Sequence, residues 1–142
     1  MKISKKAEYA LRAMVILADS PPNKPHQIQD LAQKGSVPVK FLEQILLMLK
    51  RSGLLKSKRG IGGGYQLNRE ARTISVAEVI QAIDGTLCSL APNAADLPDF
   101  RGANGLHETL QKIDSTVNEQ LWAQSLEDIL ESESAAGAGF MI

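Results

Sequence analysis

The chain has 142 residues, and its 16 basic and 16 acidic side chains give a formal net charge of zero at neutral pH. Hydrophobic residues make up 44% of it and aromatic residues only 4%, so the composition is globular and the core must be aliphatic. No apolar run reaches the roughly 18 residues of a membrane span, and a single cysteine, Cys88, excludes an intrachain disulfide framework and favours a cytoplasmic protein.

Three helices are predicted in the first third of the chain. Ser4 can cap the first, whose apolar residues keep helical spacing up to Ala18 before a proline-rich segment ends it. A short second helix over 27–33 and a turn at 34–37 follow. Pro38 suits the first turn of the third helix, where its missing N–H costs nothing. The predicted inward face of the third helix consists of Phe41, Leu42, Ile45, Leu46 and Leu49.

A short basic β-hairpin is predicted directly after the third helix. Gly53 ends that helix, and residues 54–57 and 65–67 are predicted as two strands around a glycine-rich tip. A helix followed by a small basic hairpin is the layout of a winged helix-turn-helix. In that layout the helix enters a DNA groove, and the hairpin tip lies against the backbone or an adjacent groove.

The second half of the chain is predicted to contain helices separated by one long loop. Ser75 and Glu78 have the spacing of a capping box, and the helix that they open ends at Asp84 and Gly85. Residues 86–105 show no periodicity, and loops of this length are usually functional or disordered.

A narrow apolar seam follows the loop on a predicted long helix. Its members recur at steps of four, three, four and four, which is close to heptad spacing. Such a seam either packs on its own domain or pairs with a second copy, and the narrow strip favours a homodimer. The seam, and thus the predicted dimer interface, consists of Leu106, Leu110, Ile113, Val117 and Leu121.

The chain is therefore predicted to be mainly α-helical with a small β-hairpin wing. A winged helix-turn-helix domain is expected over 1–85 and an effector or sensor loop over 86–105. The dimerisation helix and a short closing helix, capped by Ser125, are expected over 106–130. Residues 131–142, rich in serine, alanine and glycine, are expected to form a flexible tail.

Charge divides the chain into two opposite halves. Residues 1–75 hold 14 basic and 5 acidic side chains, a net charge of +9. Residues 76–142 hold 2 basic and 11 acidic side chains, a net charge of −9. By itself this asymmetry fits two ordinary solvated surfaces as well as it fits a half that binds a polyanion. Together with the winged-helix pattern, it favours double-stranded DNA as the partner of the first half.

Taken together, these motifs resemble the Rrf2 family of bacterial transcriptional regulators. The resemblance is dense over residues 1–85 and looser along the long helix. The matching stretches are KKAEYALRAM at 5–14, VPVKFLEQIL at 37–46, LKRSGLL at 49–55, SKRG at 57–60, GGGYQL at 62–67, ISVAEVI at 74–80 and AIDG at 82–85.

The resemblance implies a homodimeric regulator that binds palindromic operators, and a repressor is the preferred interpretation. It also implies DNA contacts from the start of the third helix and from the wing, at Pro38, Lys40, Phe41, Glu43, Gln44, Lys58, Arg59 and Gly60. Gln44 suits pairing with adenine, and Glu43 suits accepting a hydrogen bond from cytosine N4. Lys40 and Lys58 suit phosphates, and Arg59 suits a minor groove or a phosphate. For Phe41, core packing is the preferred interpretation.

The chain departs from the family pattern in the loop. Many members carry three cysteines there that ligate an iron–sulfur cluster, whereas residues 86–105 contain Cys88 alone. His107 and Glu8 stand near positions from which other branches supply ligands, so a cluster held by Cys88, His107 and Glu8 across the dimer is kept as an alternative. The preferred interpretation is that no cofactor binds, and that a small molecule or a partner protein supplies the signal.

Two other functional classes fit the sequence less well. An enzyme is rejected, because two histidines, one cysteine and no zinc-ligand spacing provide no recognisable catalytic or metal set. A nucleotide loop at 60–64 is rejected because a predicted strand, not a helix, follows the glycines. A regulator controlled by a partner enzyme through the acidic second half is kept as the alternative function.

Overall fold

The structure is a computed structural model that describes the backbone of residues 2–140 and the side chains of residues 2–135. Within these residues, no helix combines the length and the apolar character needed to cross a membrane. The elements in chain order are α1 Lys5–Ala18, α2 Ile28–Gly35, α3 Val39–Arg51, β1 Leu55–Lys58, β2 Gly64–Leu67, α4 Val76–Asp84, α5 Ala103–Ala123 and α6 Leu126–Phe140, with single 3₁₀ turns at Ala71–Thr73 and Ala94–Asp96.

Helix α1 lies at the centre of the core, in contact with α2, α3, α4 and α6. Its inward positions are mostly alanines, and Ala7, Ala10 and Ala13 are buried. Small side chains let the neighbouring helices approach closely, so the core is closed by their larger residues. Those that are completely buried include Leu42, Ile45, Leu46, Leu49, Val79 and Leu126.

The predicted winged helix-turn-helix fold is confirmed. Strands β1 and β2 pair antiparallel, with Leu55 opposite Leu67 and Lys58 opposite Gly64. The capping box at the start of α4 is present, because the Ser75 hydroxyl accepts from the Glu78 N–H and the Glu78 carboxylate accepts from the Ser75 N–H.

Phe41 does not belong to the inward face of α3, so the prediction that it packs in the core is wrong. Its side chain is 48% exposed, whereas Leu42, Ile45, Leu46 and Leu49 are fully buried. Those four positions already form a complete i, i+3, i+4, i+7 face. Phe41 lies about 100° around the helix from Leu42, at the edge of this face.

The turn between α5 and α6 brings the chain back to the core. Leu126 is completely buried, and its N–H donates to the Ile74 carbonyl at 3.0 Å. The Val76 N–H donates to the Gln124 carbonyl at 2.9 Å, so the turn between α5 and α6 is bonded to the segment that precedes α4.

Residues 131–140 of the predicted flexible tail continue α6 as a helix. In residues 135–140 the three alanines favour a helix and the two glycines oppose it, so the extension depends on the first turns of α6, which are anchored in the core. Residues 141–142 of the predicted tail lie outside the described residues.

We predict that Leu126→Ala lowers the free energy of unfolding by about 2–5 kcal/mol, because the truncation leaves a cavity in the core. Chemical denaturation followed by circular dichroism measures the change. Leu47→Ala is the matched control, since Leu47 is 43% exposed. Equal losses in the two variants would show that α6 is not part of the core.

Candidate DNA-binding surface

The start of α3 is fixed by both the backbone and the core. Pro38 is the N-cap residue, with φ −59° and ψ 132°, and its carbonyl accepts from the N–H groups of Phe41 at 3.1 Å and Leu42 at 3.0 Å. Val37, immediately before it, is buried. The position and direction of the first turn of α3 are therefore determined before any ligand binds.

Lys40, Glu43 and Gln44 lie on the side of α3 away from the core, and all three are exposed. They are related by helical steps of three and four residues, so their side chains share one face. Among the described residues, none of these side chains forms an ion pair or hydrogen bond with another protein group. This face presents one cation, one carboxylate and one amide, which are groups that can contact phosphates and base edges.

Phe41 borders this face and lies against α1. Its ring centroid is 6.4 Å from that of Tyr9. Lys5 and Arg12 each place their cationic groups 5.3 Å from the Tyr9 ring centroid. Glu8 accepts from both cations, at 3.2 Å from Lys5 and 2.8 Å from Arg12. The partly exposed Phe41 ring therefore continues an ordered aromatic and ionic surface on α1.

Arg12 also holds the turn between α2 and α3. Its guanidinium donates to the carbonyls of Gly35 at 3.0 Å and Ser36 at 3.4 Å, at the carboxyl end of α2. A cation is favourable there because the helix dipole is negative at this end. Ser36 has a positive φ of 51°, which sharpens the turn.

The tip of the wing is built by glycines. Gly60 and Gly62 have φ values of 93° and 76°, a region that favours glycine. A Cβ atom on Gly63 would lie 2.2 Å from the Lys58 carbonyl oxygen, so no larger residue fits. Lys58, Arg59 and Gly60 are exposed at this tip. The glycine run therefore forms the tip of a hairpin. A strand follows it, and not the helix that a nucleotide-binding loop requires.

The wing is anchored to the segment that leads into α2. His26 and Tyr65 exchange two backbone hydrogen bonds, each of 2.8 Å. A Cβ atom on Gly64 would lie 2.2 Å from the His26 carbonyl oxygen, so glycine is required for this approach. The Gln27 side chain donates to the Gly63 carbonyl at 3.1 Å. Sequence reasoning missed His26 and Gln27, because no local pattern indicates a contact over nearly 40 residues.

His26 is buried, and burial lowers the pKa of its imidazole, with the positive charges of Lys34 and Lys24 acting in the same direction. The side chain is therefore uncharged at neutral pH. Its contribution to this surface is structural, and the charge of the surface comes from the lysines and arginines.

The surface carries positive charge that the protein does not neutralise. Within the described residues, Lys40, Lys58 and Arg59 form no ion pair. Lys50 donates to the Ser57 hydroxyl at 2.7 Å, which ties the end of α3 to the first wing strand without cancelling the charge. A rigid, uncompensated basic surface attracts a polyanion.

The predicted seam on α5 is largely uncovered in the protomer. Leu106 and Ile113 are 46% and 42% exposed, and Leu110, Val117 and Leu121 are half-buried. Ala103 is the buried residue of this 21-residue helix. Trp122, which sequence reasoning did not single out, is 49% exposed on a different side of α5. Helix α5 therefore has apolar surface that its own domain does not bury.

Two side chains of α5 hold the start of the long loop. The Asp114 carboxylate accepts from the N–H groups of Leu90 at 2.7 Å and Ala91 at 3.0 Å, and from the Cys88 thiol at 3.5 Å. Asn118 exchanges two hydrogen bonds with the Cys88 backbone, at 3.0 and 3.1 Å. We call this arrangement the Asp114–Asn118 clasp. The sequence showed two polar residues one turn apart, but not their target.

Within one protomer, the three weak candidates for a metal site are not all brought together. Cys88 and His107 line one cleft, but Glu8 is ion-paired with Arg12 on α1. Burial, together with the neighbouring Asp114 carboxylate, raises the pKa of the Cys88 thiol, which disfavours the thiolate that binds metals. In the described part of the chain, no three His, Cys, Asp or Glu side chains cluster closely enough to hold a metal ion.

Comparisons with known proteins agree with this architecture. Residues 3–132 match the family model Rrf2, described as an iron-dependent transcriptional regulator. The HTH-type transcriptional regulator IscR of Xenorhabdus nematophila is 30% identical over 138 residues, which cover 94% of this chain and 81% of the relative.

Two solved structures are similar over nearly their whole length. CymR, the global cysteine regulator of B. subtilis, has a TM-score of 0.81 at 32% identity, over 93% of this chain and 98% of that chain. IscR of T. potens has a TM-score of 0.75 at 31% identity, over 96% and 90%. These relatives are transcriptional regulators and not enzymes. The chain belongs to the Rrf2 family of DNA-binding transcriptional regulators.

Proposed function

We propose that this regulator binds palindromic operator DNA as a homodimer, and that it acts in the cytoplasm as a repressor. The observation that carries the proposal is the fixed, uncompensated surface formed by the start of α3 and the wing tip. Lys40 and Lys58 would contact phosphates, and Glu43 and Gln44 would contact base edges in the major groove. Arg59, with Gly60, would enter the minor groove or contact its phosphates.

The uncovered face of α5 supports the dimer. An exposed apolar strip at near-heptad spacing is stabilised by pairing with an identical strip. Two copies related by a twofold axis present two α3 helices to the same side of a duplex, which matches a palindrome. Dimerisation would also double the positive charge available to the DNA.

The Asp114–Asn118 clasp supports control through the 86–105 loop. It joins the loop to α5, so a signal that changes the loop would also change the orientation of the dimerisation helix. Such a signal would shift the populations of two dimer geometries that differ in affinity for DNA. We propose that a small molecule or a partner protein supplies it, and that this chain holds no iron–sulfur cluster.

A partner enzyme is a second candidate for the source of the signal. The acidic residues Glu127 and Asp128 occupy the first turn of α6, and the second half of the chain has a net charge of −9. A partner of positive surface charge would recognise this region without competing with DNA. A DNA-independent complex with one enzyme, lost when the exposed acids Glu127 and Glu131 are replaced by glutamine, would support this version.

We predict that Arg59→Ala weakens binding to every duplex and reduces the slope of log affinity against log salt by about 1, because one phosphate-region cation is lost.

Gln44→Ala is expected to relax preference at one base pair, at a cost of about 1–3 kcal/mol. Fluorescence anisotropy over a salt series measures both effects.

The control for both variants is Arg101→Ala, because Arg101 is an exposed cation of the acidic half. Its affinity for DNA should equal that of the wild type. The proposed function is wrong if the wild-type protein shows no salt-sensitive affinity for any palindrome, including those in its own upstream region.

We predict that Ile113→Glu converts the dimer to monomers, because two buried carboxylates would oppose each other near the twofold axis. Light scattering coupled to gel filtration measures the mass. Lys112→Glu is the control, because position 112 lies about 140° around the helix from the middle of the seam. Loss of the dimer in both variants, or in neither, would contradict the assignment of the interface.

We predict that Asp114→Ala increases amide hydrogen exchange at residues 88–91 and changes affinity for operator DNA. Hydrogen bonds from the Ala91 and Leu90 amides lower the pKa of the Asp114 carboxyl below its ordinary value. The clasp is therefore fully retained above the ordinary pKa of an aspartate and is lost as the pH falls through the lowered pKa. Mass spectrometry measures the exchange, and Glu119→Ala, an exposed acid on the same helix, is the control. Unchanged exchange in the Asp114 variant would exclude the clasp.

A further inference from the structure

Ile61, at the wing tip, is the most exposed large hydrophobic residue in the described part of the chain. Its relative exposure is 107%, compared with 49% for Trp122, the next in rank. It stands between Gly60 and Gly62, whose positive φ values make the turn. The positive-φ positions of the tip are glycines, so the turn does not require an isoleucine at position 61, and a fully exposed side chain makes no core contact. Ile61 therefore has no role in packing the protomer.

The wing tip is held in place without any contact from Ile61. The paired backbone hydrogen bonds of His26 and Tyr65 fix the second strand, and the hydrogen bond from Gln27 to Gly63 fixes the residue two positions after Ile61. The tip is consequently preorganised, so covering the isoleucine costs little conformational entropy. A rigid, fully exposed aliphatic side chain is suited to contact another molecule.

The neighbours of Ile61 identify that molecule as a polyanion. Lys58 and Arg59 precede it, both are exposed, and residues 56–68 contain no acidic residue. An apolar protein surface would not account for this concentration of positive charge, and membership of a family of DNA-binding regulators favours DNA over an anionic membrane. DNA provides phosphates for the cations and, between them, a minor groove of limited width for a small apolar group.

We propose that Ile61 is a specificity-determining residue that enters the minor groove beside Arg59 and selects against G·C pairs under the wing. In the minor groove, A·T and G·C pairs differ by the guanine N2 amino group, a hydrogen-bond donor. An isoleucine cannot accept from this donor and would displace the water that does, so G·C is disfavoured. This inference rests on the proposed function, because it assumes that the wing contacts operator DNA.

Inosine separates this mechanism from major-groove recognition. An inosine·cytosine pair has the major-groove groups of G·C but lacks the N2 amino group, so its minor groove resembles that of A·T. The probe is a palindromic duplex enriched by the wild-type protein from a randomised pool. Each base pair of its flanks is replaced in turn by A·T, G·C or inosine·cytosine, and affinity is measured by fluorescence anisotropy.

At one flank position, the wild type is expected to bind the A·T and inosine·cytosine duplexes equally and the G·C duplex about tenfold more weakly, the size of a typical single-pair penalty. Ile61→Ala should reduce this ratio to about twofold without changing the salt slope. Ile61→Val, which keeps a branched aliphatic group, should retain most of it. Arg59→Ala should lower the salt slope, so the two residues have different signatures.

Three results would overturn the inference, and they are distinguishable. If the wild type binds no duplex, the proposed function itself fails. If it binds but does not distinguish inosine·cytosine from G·C, or if Ile61→Ala retains the full ratio, Ile61 does not select sequence, and the salt slope of Arg59→Ala shows separately whether the wing contacts DNA. If Ile61→Ala changes the mass of the DNA-free protein in solution, Ile61 belongs to an interface between copies of this chain.

Discussion

The pairing of His26 with Tyr65 is the constraint on which the DNA-binding surface depends. Two backbone hydrogen bonds of 2.8 Å join the segment before α2 to the second wing strand. They require a backbone approach that only glycine allows at position 64. Without this pairing, a two-stranded hairpin of four residues per strand would be only marginally stable. With it, the wing and the helices that it flanks form one rigid unit, and a rigid unit loses little entropy on binding a duplex.

Most of the fold could be predicted from sequence because its signals are local. The buried face of α3, the caps at Ser4 and Ser75 and the glycine-rich turn each depend on residues within one or two turns of each other. Phe41 was misplaced because a periodic pattern cannot define how wide a buried face is. The last helix was underestimated because its stability depends on the burial of Leu126, which is a tertiary contact.

The candidate site was predictable in part for the same reason. Exposed residues on α3 and at the wing tip follow from helix periodicity and hairpin register, so their placement could be derived. The contacts of His26, Gln27, Asp114 and Asn118 could not, because each joins segments more than 20 residues apart. Every residue has the same backbone N–H and carbonyl groups. A hydrogen bond to a backbone group therefore leaves no trace in the type of residue that it contacts.

The start of α4 is the place where the two halves of the chain meet. Arg69, just after the wing, forms an ion pair with Glu78 at 2.7 Å, and the same carboxylate completes the cap at Ser75. On the other side, the turn between α5 and α6 is hydrogen-bonded to Ile74 and Val76. The exit of the wing and the end of α5 are therefore attached to one short segment. A change in the orientation of α5 would act on this segment through the two backbone hydrogen bonds, whereas the ion pair of Arg69 and Glu78 lies partly exposed at the surface. The loop, where we propose that the signal acts, and the wing, where we propose that DNA binds, are thus connected within one protomer. The connection consists of the hydrogen bonds of the clasp, those of Ile74 and Val76, and the ion pair of Arg69 with Glu78.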